Sequence, residues 1–511
     1  MLSTHVRSRF VWLLFAILLG SFAGAIGLRA QDLDQGEITE GLEYDFGIPH
    51  CWKETGEAMR GISPVQLWVS SKVDTKATIT NKALGINQTY SITGGQVKVI
   101  PLTDALMNLQ SEVSKPFGIH LSAGAPVAVT VFISYRWSGE AYRVIPVDWL
   151  GKKYYTLNLY QDKTDVIRPS QILIVATKDE TKVKYTPTVP TERGTPAGKT
   201  AEVTLQKGET YLIQAQQNSD WTFVGGDLSG TYIEASEPIG VISGHTKGAF
   251  PRYNATMLGR PANFMRNMII DMMWPIELLG TEYISAPIKY INRTRGVDPD
   301  DYGDLIRFVA TEKNTQLYQM RQDGTGAYPI GKVLDKGDYF DIVNQEVAAH
   351  YRSNKPVLVG QYGKAWRDHQ VNGTKVESPL NPSRNGCGMM LVLAPIDHWT
   401  SYTTFRSADN MDNFCYVTFA TTDESNLKFD GKSFRSYFGS GIKQIAGTNY
   451  SYAIKQIPSG DHTVEGASGA KFACYAYGNY DYSKDGFAYG YPTGMNFSIR
   501  CPDSLAVVDN M

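Results

Sequence analysis

Four carboxylates fall within seven residues, at Asp298, Asp300, Asp301 and Asp304. Such a run repels itself unless water or a cation lies between the side chains, and oxygen ligands at this density suit calcium. The segment lacks the EF-hand spacing and its terminal Glu, so a solvated loop is the competing expectation. Asp409 with Asp412, and Asp481 with Asp485, are thinner groupings of the same kind. No organic cofactor is expected. Covalent catalysis has no foothold either: the chain shows no Gly-x-Ser-x-Gly elbow, its eight histidines form neither HxH nor HExxH, and its five cysteines form no CxxC. These absences point to a protein that is not an enzyme.

Binding chemistry is better represented. Arg136 beside Trp137, and Trp366 beside Arg367, pair the two residue types that dominate interface hot spots. Each pair follows a strand candidate, so the competing reading is that the indole covers a junction between units. Cys51 stands early in the chain, whereas Cys387, Cys415, Cys474 and Cys501 are late. In an oxidising compartment the late four allow up to two disulfides. Cys415 with Cys474 is the favoured pair, because both lie in aromatic-flanked strand candidates, NFCYVTFAT and KFACYAYG. Buried free thiols are the alternative.

The elements that must position these residues repeat. Val69-Ser70-Ser71, Val175-Ala176-Thr177, Val309-Ala310-Thr311 and Phe419-Ala420-Thr421 are each followed, at the same interval, by a hydroxyl residue: Thr75, Thr181, Thr315 and Ser425. An apolar run precedes each phrase (VQLWV, QILIV, LIRFV, CYVTF) and an alternating run follows, which predicts strand, polar turn, strand. Downstream, a Gly-centred turn opens another strand in every copy, at Gly94-Gly95, Gly208, Gly337 and Gly460. A closing apolar strand then begins after Pro126, Pro238, Pro356 and Lys471. Repeats two to four open with Pro146-Val147-Asp148, Pro275-Ile276-Glu277 and Pro395-Ile396-Asp397.

About four related units follow, each of short strands without a persuasive amphipathic helix. The predicted fold is all-β, built of tandem antiparallel β-sandwich-like repeats, with a closed propeller-like β ring as the alternative. The expected division is a signal peptide at 1–30, β units at 31–140, 141–250, 275–363 and 395–500, connectors at 251–274 and 364–394, and a tail at 501–511. Connectors of this length are usually functional or disordered.

Composition bounds the rest. The 511 residues include 49 Lys and Arg against 51 Asp and Glu, a net charge of −2 that supplies no counterion-release drive toward nucleic acid. With 42% hydrophobic and 20% charged residues the chain lies in the globular range. Arg7 and Arg9, the apolar residues 11–19 and the small residues Ala23, Ala25 and Ala30 have the layout of a secretory signal. Export to an extracellular or periplasmic space is expected, with no stable membrane insertion after cleavage.

Taken together, PVDWLGKKYY, ILIVATKDETKVKYTP, LQKGETYLIQ, GTYIEASEPIGVISG, WPIELLGTEY and the late YGYPTG resemble the N-terminal domain of the IgGFc-binding protein family. The resemblance covers roughly residues 40–500. It implies a secreted, all-β adhesion or binding region with no established catalytic residues; the near-neutral charge and the aromatic-basic pairs add the expectation of an extracellular protein or glycan as partner. Antibody binding does not transfer with the family name. An extracellular glycan-active hydrolase and a structural spacer for other modules are the alternatives.

Overall fold

The computed structural model describes residues 39–53, 63–160, 168–216, 226–248, 266–288, 303–364, 369–371, 374–376, 387–479 and 487–498. The first repeat shows the plan. It contains β1 (Gly41–Phe46), β2 (Val65–Ser70), β3 (Thr75–Asn81), β4 (Ile86–Ile92), β5 (Val97–Leu102), β6 (Ser114–Lys115), β7 (Ile119–Tyr135) and β8 (Ser138–Arg143). The long β7 serves two layers: its first half pairs with β1 and β3, and its second half with β2 and β8. The outer edges are β4 on β3 and β5 on β2.

All four repeats follow this plan. In the first and third repeats the closing strand is continuous (β7 and Ala349–Gly363) and joins both layers into one seven-stranded sheet. In the second and fourth it is broken, into Tyr232–Ala235 with Ile239–Gly248 and Gly460–Gly466 with Phe472–Asn479, so the layers are separate four- and five-stranded sheets. The fold is thus all-β, with sandwich-like units as the sequence predicts. The apolar runs are also explained: Ser170–Ala176 and Asp304–Ala310 are buried at every position, because both their faces are covered.

The repeated hydroxyl and the proline answer one another. Ser71, Thr177 and Thr311 donate to the carbonyls of Pro126, Pro238 and Pro356 at 2.8, 2.6 and 2.6 Å. Each bond ties the end of an inner strand to the point where the closing strand crosses between layers, and contributes about 1 kcal/mol. A second recurring device joins neighbouring units. The amides of Gly41, Gly151 and Gly280 donate to Tyr44, Tyr154 and Tyr283, whose hydroxyls donate onward to the closing strand at Val127, Ile239 and Val357. A Cβ on these glycines would stand 2.4, 2.3 and 2.5 Å from the Cβ of Pro146, Pro275 and Pro395. Only a bare backbone lets the opening proline of the next unit seat there.

The fourth unit returns to the first. Ser70 donates to the Thr404 carbonyl at 3.4 Å and the Val97 amide to Asp461 at 2.9 Å. Trp68 and Phe132 of the first unit share a buried cluster with Phe487, Tyr489 and Tyr491 of the last. The units therefore close into a cycle instead of a row, and the ring expected as the alternative arrangement is made of two-layered units, not single-sheet blades.

One landmark of the fourth repeat moves. The sequence pattern sets Gly460 in the place of Gly208 and Gly337, but the strand in that place is Tyr450–Ile457, which follows Gly447. The inserted turn of helix, Phe434–Phe438, displaces the pattern by one strand.

Candidate functional site

Each closing strand is followed, in the third unit after the short hairpin His369–Val371 and Thr374–Val376, by an axial strand that the sequence pattern does not mark. These are β8, Asn267–Met272, Met389–Val392 and Ala488–Pro492. Among the described residues each pairs only with its own closing strand, as an edge strand does. In space β8 packs against Asn267–Met272 and Ala488–Pro492, and Met389–Val392 packs against the same two. Four edges thus meet along the axis of the cycle, where unpaired amides and carbonyls would be costly.

Three polar side chains resolve this. Asn267, fully buried, accepts from the Gly139 amide at 2.9 Å and donates to the carbonyls of Gly388 at 2.9 Å and Ala488 at 2.7 Å. One side chain therefore joins all four axial segments. Glu140 accepts from the amides of Gly490 and Ala141 at 2.6 and 3.1 Å, and Asp271 from those of Val392 and Met272 at 2.9 and 2.8 Å. Burial pushes both carboxyls well above the usual range, against the lowering effect of the amides they accept from.

Sign follows from that. A carboxyl whose folded value is raised holds its proton more tightly in the native state, so its stabilising contribution is full below the unfolded value and is lost as pH rises through the folded one. Glu140→Gln keeps an acceptor and cannot ionise. Its melting temperature is expected to match the wild type near the ordinary carboxylate value of 4.5 and to exceed it increasingly toward alkaline pH, as scanning calorimetry would read. Parallel curves would show that ionisation of Glu140 has no part in stability.

Around this axis the closing-to-axial turns begin and end. Tyr135 faces Ser138, Gly248 faces Asn267, Gly363 faces Met389 and Asn479 faces Ala488. The Cys387 amide donates to Asn479 at 3.3 Å, which links two of the turn ends directly. Arg136 and Trp137 form the tightest turn; Trp137 takes a left-handed φ of 60°, and the Arg136 guanidinium lies 4.3 Å from its ring centre. Both are half-buried. Trp366 and Arg367 follow the closing strand of the third unit in the sequence and lie outside the described residues.

Reactive chemistry is not assembled at these turn ends. The Cys51 thiol donates to Ser138 at 3.4 Å and burial pushes it up to about 11; burial likewise pushes Cys387 up to about 12. Both remain thiols at neutral pH and are weak nucleophiles. Cys415 and Cys474 are free thiols buried in one cluster. In the register Cys415 faces Ala476 and Val417 faces Cys474, so the two are diagonal neighbours and not a directly opposed pair. Burial raises the Cys415 thiol well above its ordinary value, and its hydrogen bond with Cys474 adds to the rise.

The acidic segment is divided. Asp298, Asp300 and Asp301 lie outside the described residues, whereas Asp304 is buried and accepts from the Ile288 amide at 2.7 Å and Gln361 at 2.8 Å. A calcium ion there would have to draw on the other three. Among the described residues no group of three or more His, Cys, Asp or Glu side chains is placed to hold a metal ion. Residues 1–30 also lie outside the described residues, and among those described no helix is long and apolar enough to cross a membrane.

A model of the IgGFc binding protein family matches residues 140–478, from the first axial strand to the end of the last closing strand. The chain belongs to the IgGFc-binding protein family. That family is of binding type, is not known for enzymatic activity and is typically extracellular. No curated protein matches the chain. Among solved structures, a crystal structure of a tetra-tandem repeat in the extending region of a large adhesion protein aligns over 84% of this chain and 93% of its own at 11% identity, with a TM-score of 0.09. A likeness that low carries no argument.

Proposed function

We propose that this member of the IgGFc-binding family is an exported, non-enzymatic adhesion module that grips a protein or glycoprotein partner through the face where the closing-to-axial turns emerge. The observation that supports it is the convergence on Asn267, by which the cycle gathers the ends of all four turns around one rigid axis. Contact residues on connections held by a rigid scaffold are the usual arrangement of binding proteins. Two of those connections, residues 249–266 and 364–388, are long enough to present a contact surface, and the second carries Trp366 and Arg367.

A glycan and glycoprotein array probed with the mature protein tests the reading. Trp137→Ala and Trp366→Ala are each expected to weaken capture at least about tenfold, the loss of a typical aromatic hot spot, with melting temperatures close to the wild type. Capture unchanged in both variants would remove the turn face as the binding surface.

A further inference from the structure

A cleft of about 440 Å³ opens between the second and third units. The second unit contributes Tyr160, Thr188 and Asp227 to its walls, and the third contributes Lys332, Asp338 and Tyr339. The volume falls in the range of small-ligand sites. The walls are held in place from behind. Arg307, 2% exposed at its side chain, donates to Asp227 at 2.6 Å and to Asp341 at 2.7 Å, and its guanidinium lies 4.1 Å from the Tyr339 ring centre. The Gly230 and Gly337 backbones meet so closely that a Cβ on Gly230 would stand 2.0 Å from the Gly337 oxygen.

We infer that this cleft is a binding site for a neutral saccharide, with none of its wall supplied by Trp137. The lining leans acidic, because Arg307 is shared between Asp227 and Asp341. Lys332 lies 3.8 Å from Asp338, so among the described lining residues a phosphate or sulfate would meet carboxylates with no cation left over to hold it. A wholly apolar ligand would strip water from Asp227, Asp338 and Lys332 without replacing it. A sugar ring satisfies both demands. Its hydroxyls donate to the carboxylates and to Thr188, whose own proton goes to the Asp227 carbonyl, and accept from Lys332, while its C–H face lies on the phenol of Tyr339, which is 40% exposed and fixed by the guanidinium beneath it.

Saturation-transfer NMR and calorimetric titration of the full chain with the methyl glycosides of galactose, mannose and N-acetylglucosamine test this, with N-acetylneuraminic acid and inorganic phosphate as anionic probes. At least one neutral glycoside is expected to bind in the millimolar range, and the anions to bind more weakly. Tyr339→Ala and Asp338→Asn are each expected to reduce that affinity about tenfold or more, whereas Trp137→Ala leaves it unchanged. Asp338 sits on the exposed rim, so Asp338→Asn keeps the fold if Tyr339→Ala does not. Failure of all three glycosides to bind, a preference for the anions, or indifference to Asp338→Asn in a folded protein would overturn the site. Array capture that depends on Trp137 without any glycoside binding would leave the turn face standing and end this proposal alone.

Discussion

Arg307→Ala is expected to destabilise the protein by about 3–5 kcal/mol, the cost of removing one partner from a buried ion pair. The guanidinium is buried and spans two units: it reaches Asp227, Ser229 and the Asn158 carbonyl in the second, and takes both oxygens of Asp341 in the third. Burial works to lower its proton affinity, but Asp227 and Asp341 outweigh that and raise it well above the ordinary value, so the charge persists. Truncation would leave Asp227, only 10% exposed at its side chain, without a counter-charge, and would also remove the support under Tyr339. Asp341 is 26% exposed and would recover some hydration, which sets the effect toward the lower end of the range. Arg307→Lys should fall between, since an ammonium cannot hold Asp341 bidentately while reaching Asp227. Urea unfolding of the three proteins measures this. A loss under about 1 kcal/mol for Arg307→Ala would mean that the junction between the units does not depend on the ion pair.

Asn267→Leu is expected to cost about 3–9 kcal/mol, because three backbone groups on three different segments lose their partner together at about 1–3 kcal/mol each. Leucine fills nearly the same volume, so the loss reports hydrogen bonding and not a cavity. Asn267→Asp separates the two halves of the amide's work. It preserves the acceptor for Gly139 but turns an oxygen toward the Gly388 and Ala488 carbonyls, so it should be the worse variant at neutral pH and recover on acidification as the carboxyl protonates. Melting curves at neutral and acidic pH, with amide exchange at Gly139, decide it. Equal stability of Asn267→Leu and wild type would show that the axial edges find other partners.

The parts of the fold legible in the sequence are those whose interactions recur with the repeat. The Val-Ala-Thr hydroxyl bonds the proline carbonyl of its own unit, and the opening glycine receives the proline of the next, so both leave the same mark three times. The fourth unit shows how far this goes. Its inserted helix shifted Gly460 out of step, and the alignment of phrases had no means of detecting a strand added between them.

The axial strands left no such mark. SGEAYR, NMIIDM, MMLV and AYGYP share no phrase, because the backbone pairing that places them is blind to side-chain type. What meets at the axis also differs from strand to strand: a Glu on the first, an Asn and an Asp on the second, and amide and carbonyl groups on the third and fourth. Four edges closing on one another need complementary partners and not identical ones. Asn267, Glu140 and Asp271 therefore carry no periodic signal. Arg307 had a faint one, as the single charge inside the apolar run LIRFV, but its partners Asp227 and Asp341 lie 80 and 34 residues away.

By itself the sequence determined the strand content, the four units and their order, the absence of familiar catalytic spacings and the family, because each is written in short-range patterns of hydrophobicity, turn chemistry and recurring phrases. Only the tertiary structure decided that the units close into a cycle, that four axial strands meet on Asn267, and that Asp227 faces Lys332, Asp338 and Tyr339 across a cleft. These depend on contacts between residues tens to hundreds of positions apart, whose partners are fixed by shape and hydrogen-bond complementarity after the units have folded, and no local pattern encodes them.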